Sequence, residues 1–186
     1  MSTTSDDRPP VVIGAISGIV TWILGYAFTF LWVGPDVQDS TIQRFIEAVE
    51  GEPATYEMVG WVFYNAHLVD TVFTDVPAIG EFTTNAIGGD DGFSVLVYLI
   101  PIGLLLAAGL AIAQYRDVQN PTDGMLAGLT VVPGYLVLTI VGIFLFEVSV
   151  GGATGRPELL EGILLAGIIY PAIFASAGGV LASFTD

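Results

Sequence analysis

Four ionisable residues in the sequence have the type and spacing to do chemistry together. His67 and Asp70 are three residues apart, so on a helix they share one face, where an imidazole can hydrogen-bond a carboxylate. Such a pair could sense pH or contribute to a cation site if further oxygen ligands join it. The alternative is a solvated polar stripe, or one hydrogen bond that ties the helix to the loop, and we favour it because the sequence does not fix the position of any further ligand.

Glu147 and Glu161 flank a short glycine-rich segment that contains Arg156. The two carboxylates could converge across this segment and hold a cation, or share Arg156 as a neutralising partner. A simple salt bridge at a membrane surface explains them equally well and is preferred. Together with His67 and Asp70 they form one candidate polar cluster, and no catalytic, cofactor-binding or metal-binding residue is assigned.

The residue types that the sequence lacks exclude much of enzyme chemistry. The chain has no Cys, 1 His and 4 basic residues, all of them Arg. It therefore cannot supply a thiol nucleophile, a multi-histidine metal site, or a lysine for a Schiff base or a P-loop. We expect no cofactor, and an enzyme is the least favoured class because only carboxylates and hydroxyls remain for catalysis.

The charge balance is strongly acidic, with 19 acidic residues against 4 basic ones and a net charge of −15. Such a chain repels nucleic acid, so no nucleic-acid partner is expected. An excess of carboxylates without any Lys is typical of extreme halophiles, in which concentrated salt screens the self-repulsion of the chain. The composition therefore indicates a halophilic archaeon.

The composition also indicates a membrane protein, since 53% of the residues are hydrophobic and 12% are charged. Four apolar segments are long enough to cross a hydrocarbon core of about 30 Å as helices. These transmembrane helices are predicted at residues 11–33, 93–115, 125–148 and 160–184. The first could instead be a signal peptide, but its apolar run is unusually long and no cleavage motif follows it.

Short connectors predict antiparallel neighbours and therefore a four-transmembrane-helix bundle, which makes the fold class an all-α membrane protein. Residues 1–10 then form an N-terminal tail, residues 116–124 a loop on the same side, and residues 149–159 a loop on the opposite side. Arg8 and Arg116 lie beside span ends and favour cytoplasmic termini, although each side carries the same number of Arg residues.

Residues 34–92 are too long for a turn and are predicted to form a structured, acidic external subdomain. Capping-box spacing and helical periodicity predict an amphipathic helix over 40–50. A second amphipathic helix is predicted over 56–76, and Asp70 would lie near the middle of this segment if it crossed the membrane. We therefore prefer an interfacial or re-entrant helix to a fifth transmembrane helix.

Two stretches and the layout of the last three spans carry a resemblance to a known family. The stretches are GAISGIVTWILGYAFTFLW in the first span and GWVFYNAH in the external segment. On these residues the whole chain resembles an uncharacterised haloarchaeal family of four-span integral membrane proteins. The resemblance implies a topology and a source, and it implies no activity, ligand or catalytic residue.

Small residues recur at packing intervals in the predicted spans, where they allow two helix backbones to approach closely. Packing within the bundle is the expected role, and an exposed face for a homodimer or a partner subunit, built on Gly14, Gly18 and Gly25, is the alternative. The residues assigned to helix packing are Gly14, Gly18, Gly103, Ala107, Gly124, Gly128 and Gly179.

These observations favour a non-enzymatic accessory or scaffold component of a haloarchaeal cell membrane. It would be a multi-pass protein of the lipid bilayer with a homo-oligomer or another membrane protein as its partner. The alternative is a small oligomeric transporter or channel, in which Pro101, Pro133 and Pro171, predicted near span centres, bend the helices around a polar path. That path would be lined by Tyr98, Thr130, Tyr135, Thr139, Tyr170 and Ser176.

Overall fold

The computed structural model describes residues 11–89 and 92–185, so the predicted tail at residues 1–10 lies outside the described residues. Within the described ranges the chain forms six helices and four strands. The helices are α1 (Val11–Gln38), α2 (Thr41–Glu50), α3 (Thr55–Asn65), α4 (Val95–Tyr115), α5 (Pro121–Leu145) and α6 (Leu159–Ala182). The strands are β1 (Thr71–Val76), β2 (Gly80–Thr84), β3 (Val148–Val150) and β4 (Ala153–Pro157).

Helices α1, α4, α5 and α6 are each long and apolar enough to cross a membrane, as the sequence predicts. They form a ring in which α1 packs against α4 and α5, and α6 packs against the same two helices. Large apolar side chains such as Val20, Leu31 and Phe144 point outwards from this ring. An apolar exterior of this kind is stable in hydrocarbon and unfavourable in water.

The helix predicted over 56–76 is wrong in its second half, because α3 ends at Asn65 and Thr71–Val76 forms strand β1. The change of structure follows a turn at Leu68, whose φ of 62° is left-handed and ends the helix. Strand β1 is rich in β-branched and aromatic residues, which suit a sheet once partner strands are present.

The four strands form an antiparallel sheet in the order β2-β1-β4-β3, which adds a β element to the all-α fold predicted from sequence. Strands β3 and β4 come from the segment between α5 and α6, most of which is predicted as a loop over 149–159. Phe73 of β1 lies opposite Gly155 of β4, so the sheet joins two segments that are distant in sequence. It lies at the end of the bundle where α1 and α5 end, which we call the sheet end.

Helix α2 forms where the sequence predicts an amphipathic helix over 40–50. The Ser40 side chain accepts a hydrogen bond from the Gln43 backbone N–H at its start, and Gly51 ends it in the left-handed conformation with φ 82°. The two helix termini are therefore satisfied by local groups, and α2 needs few contacts with the bundle to form.

Helix α3 is inserted into the bundle and does not lie on its surface. It runs antiparallel to α1, with Tyr56 stacked on Phe30 and Phe63 packed edge-on against Trp22. Almost all of its residues are buried. The helix therefore fills the centre of the ring at the sheet end.

Of the three prolines considered from the sequence, Pro133 and Pro171 each follow a local disturbance of their helix, as expected because proline has no N–H for the helical hydrogen bond. Helix α5 is interrupted by a turn at Thr130 and Val131, just before Pro133. Helix α6 widens into a π-helix over Gly162–Ile169, immediately before Pro171. Pro101, predicted near the centre of its span, lies instead in the second turn of α4.

Glycines allow close backbone contact between α1 and α5 and between α5 and α6. A Cβ atom on Gly18 would overlap the carbonyl oxygen of Val131, and one on Gly14 would overlap Thr130. Gly124, Gly128 and Gly179 make contacts of the same kind between α5 and α6, the first two against backbone atoms of Gly179 and Ala175. The small-residue face of α1 therefore packs against α5 of the same chain.

On α4 the close approach is made by a different residue from those predicted. Gly103 and Ala107 are exposed, and a Cβ atom on Gly103 would meet no atom within 4 Å. Gly109, on another face of the same helix, packs against the backbone of Ala175 in α6. The spacing of small residues identifies α4 as a packing helix but does not give the face that packs.

We expect Gly18→Val to destabilise the protein by about 1–3 kcal/mol, because the new side chain overlaps the backbone of α5. Gly103→Val is the matched control, since its side chain points into open space, and its effect should stay within about 0.5 kcal/mol. Thermal unfolding of both variants in the same detergent measures the difference. Equal stability of the two variants would contradict the α1–α5 packing.

Candidate functional site

The turn after α3 places His67 inside the bundle. The N–H groups of His67 and Val69 both donate to the Tyr64 carbonyl oxygen, at 2.8 and 3.2 Å, and this closes the turn. Leu68 is exposed at its tip, whereas His67 is completely buried. The turn thus directs the imidazole towards α5 and α6 and lets the chain return to the sheet.

Both nitrogens of the His67 ring have hydrogen-bond partners. Nδ1 lies 2.8 Å from the Phe63 carbonyl oxygen, and Nε2 lies 2.6 Å from the Tyr135 hydroxyl. A carbonyl oxygen can only accept, so Nδ1 carries a proton, and in the neutral ring Nε2 then accepts from the Tyr135 hydroxyl. The neighbours of the ring therefore fix a single tautomer of the neutral imidazole.

Burial lowers the pKa of His67 from its ordinary 6.5 to about 4, and the hydrogen bond to the Phe63 carbonyl opposes this shift. At neutral pH the imidazole carries no charge. The pH-sensing role considered from the sequence would therefore require a pH near 4, because the folded protein disfavours protonation of this ring at higher pH.

Asp70 does not hydrogen-bond His67 and belongs to a separate group of contacts. Its backbone N–H donates to Oε2 of Glu161 at 3.1 Å, and its carbonyl oxygen accepts from the Glu158 N–H at 2.8 Å. Its side-chain carboxylate accepts a long hydrogen bond of 3.4 Å from Asn85. The structure thus brings Asp70 and Glu161 together, as parts of a joint between β1 and the start of α6.

Glu147 lies apart from this joint and pairs with Arg156. Oε2 of Glu147 is 3.8 Å from Nε of Arg156, and their side chains are 43% and 31% exposed. An exposed pair of this kind contributes at most about 1 kcal/mol. The predicted cluster of four residues is therefore split among three places, and within residues 11–89 and 92–185 no three His, Asp or Glu side chains converge as metal ligands would.

Three further residues of the GWVFYNAH stretch bond to the surrounding elements. The Trp61 indole N–H donates to the Phe146 carbonyl oxygen at 2.7 Å, and the Tyr64 hydroxyl donates to the carbonyl oxygen of Thr139. Asn65 donates to the Val69 carbonyl oxygen at 2.8 Å and accepts from the Ala86 N–H at 2.9 Å. In the sequence, these roles are indicated by several hydrogen-bonding side chains that lie close together in an otherwise apolar helix.

A cavity of about 870 Å³ lies at the sheet end, a feature that the sequence analysis does not anticipate. Its walls come from the end of α1, the start of α2, one face of α3, strands β1 and β2, and the chain that leads to α4. Its apolar lining residues are Val37, Ile42, Met58, Trp61, Val62, Phe73, Phe82, Ala86 and Phe93. A cavity of this volume can hold a drug-sized molecule.

Comparison with known proteins identifies one family. The model of a family of unknown function, DUF7978, matches residues 1–186, which is the whole chain. No curated protein and no solved structure matches the chain.

The buried His67 should make the stability of the protein depend on pH in the acid range. Between pH 6.5 and about 4 the unfolded chain binds a proton at His67 and the folded protein does not. The free energy of unfolding should therefore be highest above pH 6.5. It should decrease by about 3 kcal/mol in total as the pH falls to about 4. Thermal unfolding in detergent at constant salt, from pH 7.5 to pH 4, measures this loss.

A His67→Gln variant provides the comparison, because it retains hydrogen-bonding groups but cannot be protonated in this range. Its stability should be lower than that of the parent at pH 7.5 and should change less between pH 6.5 and 4. Carboxylates titrate equally in both proteins and cancel in the difference. Parallel pH profiles would show that His67 is not held neutral by burial.

Proposed function

Since the chain belongs to DUF7978, a family of unknown function, we propose from its geometry that it is a non-enzymatic accessory or scaffold component of a haloarchaeal cell membrane. In this proposal α1, α4, α5 and α6 cross the bilayer, the termini lie in the cytoplasm, and the sheet end faces outwards. The single observation that carries the proposal is the fixed attachment of the sheet to the bundle, which gives a partner protein a rigid docking surface.

The attachment involves contacts from several elements. Trp61 of α3 hydrogen-bonds the chain just after α5 and packs edge-on against Phe73 of β1, with 5.3 Å between ring centroids. The Glu158 N–H bonds the Asp70 carbonyl oxygen and connects the start of α6 to the sheet. A scaffold needs such rigidity, because a docking surface that is already ordered loses little conformational entropy when its partner binds.

Two exposed features of the sheet end suit a protein partner. Strand β2 is an edge strand with every residue exposed, so its outer side can accept a further strand. Helix α2 exposes Ile42, Phe45 and Val49 to 56%, 62% and 49%, and these residues follow one another along one helical face. An apolar stripe in an acidic region favours contact with another protein over contact with water.

The charge of the chain supports a salt-rich environment for this role. Most of the 19 acidic residues belong to the segments between α1 and α4 and between α5 and α6. In dilute salt these carboxylates would repel an acidic partner across the sheet end, and concentrated salt screens that repulsion within a few ångströms. The proposed halophilic source therefore fits the proposed partner contact.

Transport is the less supported function, because four of the six hydroxyls considered for a polar path are hydrogen-bonded inside the protein. Thr130 and Thr139 each donate to a carbonyl oxygen of their own helix, at 2.6 and 2.9 Å. Tyr135 bonds His67, and Ser176 bonds the Met125 carbonyl oxygen at 3.4 Å. Groups that are already satisfied by the protein are poor substitutes for the water around a permeating solute.

Site-specific photocrosslinking in haloarchaeal cells tests the scaffold proposal. A photoreactive amino acid is placed at Phe45 on α2, at Thr83 on β2, or at the control position Phe144, which points outwards from α5. We expect positions 45 and 83 to yield adducts with the same second protein, or with a second copy of this chain, and position 144 to yield lipid adducts. A Val49→Glu substitution should weaken the adduct at position 45, since it places a charge in the apolar stripe.

The competing outcomes are distinct. Lipid adducts at all three positions, or a protein adduct that Val49→Glu leaves unchanged, would contradict a docking surface on α2. Solute flux through proteoliposomes that contain only this protein would favour the transporter instead.

A further inference from the structure

The cavity at the sheet end has a rigid, mostly apolar wall. Val37, Trp61 and Val62 form part of the wall and are buried in the structure itself. Trp61 is held by its hydrogen bond to the Phe146 carbonyl oxygen, so its ring cannot rotate to fill the space without losing that bond. Preformed apolar cavities of this size are typical of small-molecule binding sites.

Several polar side chains in the wall are already bonded within the protein. The hydroxyls of Ser40 and Ser94 accept from backbone N–H groups at 3.1 and 3.3 Å, where each caps a helix. Oδ1 of Asn85 accepts from the Ile87 N–H at 3.0 Å, and the Thr71 hydroxyl accepts from Asn65 at 3.4 Å. A ligand would therefore be held mainly by apolar and aromatic contact, which requires that its own surface is apolar.

The charge around the cavity disfavours an anion. Among the described residues that line it, the one charged side chain is Asp36, which is exposed. The protein as a whole carries a net charge of −15. A negatively charged headgroup would meet repulsion without a basic residue to compensate, whereas a neutral or cationic one would not.

A second, smaller cavity, which we call the groove, is the route by which we expect a ligand to enter. It has a volume of about 290 Å³ and lies on the outer surface between α1 and α4, lined by Phe28, Trp32, Leu99, Ile100, Gly103 and Leu104. Trp32 of the groove is four residues before Asp36 of the cavity, so the two linings are about 6 Å apart along α1. This groove is apolar and faces the region that hydrocarbon would occupy if α1 and α4 cross the bilayer.

From these observations we propose that the cavity is a binding site for the apolar chain of a neutral or cationic amphiphile that comes from the membrane. The chain lies against Trp61, Met58 and Phe93, and the headgroup lies towards Asp36. The cavity shares Ile42 of α2 and two residues of β2, Phe82 and Thr84, with the surfaces that the partner proposal uses, and the rest of its wall comes from α1, α3, β1 and the chain that leads to α4.

Photoaffinity labelling of the full chain in proteoliposomes tests the proposal. Three long-chain alkyl probes carry a photoreactive diazirine near the chain end and differ in their headgroup, which is an alcohol, a trimethylammonium or a carboxylate. We expect saturable labelling of peptides that contain Met58, Trp61 or Phe93 by the first two probes, and competition by the corresponding alcohol without a diazirine. Labelling of the groove peptides around Trp32 should not saturate, because bulk lipid reaches them.

A pair of matched variants separates the cavity from the rest of the surface. Thr84 lines the cavity, and Thr83 does not line it and is its neighbour on β2, where successive side chains point to opposite faces. Thr84→Trp should fill part of the cavity and reduce its labelling by about tenfold, since one methylene in an apolar pocket already changes binding by about that factor. Thr83→Trp should leave the labelling unchanged, and labelling at the groove should persist in both variants.

Each outcome decides the proposal. Cavity labelling that does not saturate, or that is equal in the two Trp variants, would overturn the binding site. Equal labelling by the carboxylate probe would overturn the assignment of a neutral or cationic headgroup. The two proposals fail independently, because the alkyl probes report on the cavity residues Met58, Trp61 and Phe93, whereas the crosslinks of the partner proposal form at Phe45 and Thr83, which do not line the cavity.

Discussion

The burial of α3 is the constraint on which the rest of this structure depends. A helix inserted into an apolar bundle brings polar side chains to a place where water cannot satisfy them, and each one left without a partner costs about 1–3 kcal/mol. Trp61, Tyr64, Asn65 and His67 each find a partner in another part of the chain or in the turn that follows α3. These bonds set the depth of α3 and its rotation about its own axis.

The position of α3 in turn determines both features of the sheet end. Because the chain reverses at Leu68 and returns, β1 leaves the bundle beside the start of α6 and can pair with β4. One face of α3 packs on α1 and α5, and the face that carries Met58, Trp61 and Val62 forms part of the cavity wall. A shift of α3 by one helical turn would displace the sheet and close or enlarge the cavity.

Local patterns in the sequence were sufficient to predict the four long apolar helices and α2, because helix length, apolar content and capping residues are local properties. The end of α3 at Asn65 was missed, since VFYNAHLVDTVFTDV has apolar residues compatible with either a helix or a strand. Strand β1 is defined by pairing with β4, about 80 residues later, and this pairing cannot be inferred from either segment alone. The same holds for the partner of His67 and for the cavity, whose walls come from segments distant in sequence. On α4, the interval between small residues did not reveal that Gly109, and not Gly103, meets α6.

The bond between His67 and Tyr135 also has a consequence for the biosynthesis of the protein. Tyr135 is made 68 residues after His67, and at about 5–20 residues per second the ribosome needs roughly 3–14 s to reach it. During this interval α1, on which α3 packs, has already been made, whereas the part of α5 that bonds His67 has not. The hydrogen bond that fixes the turn after α3 can therefore form only after α5 has been made, so the final positioning of α3 is a late event in maturation.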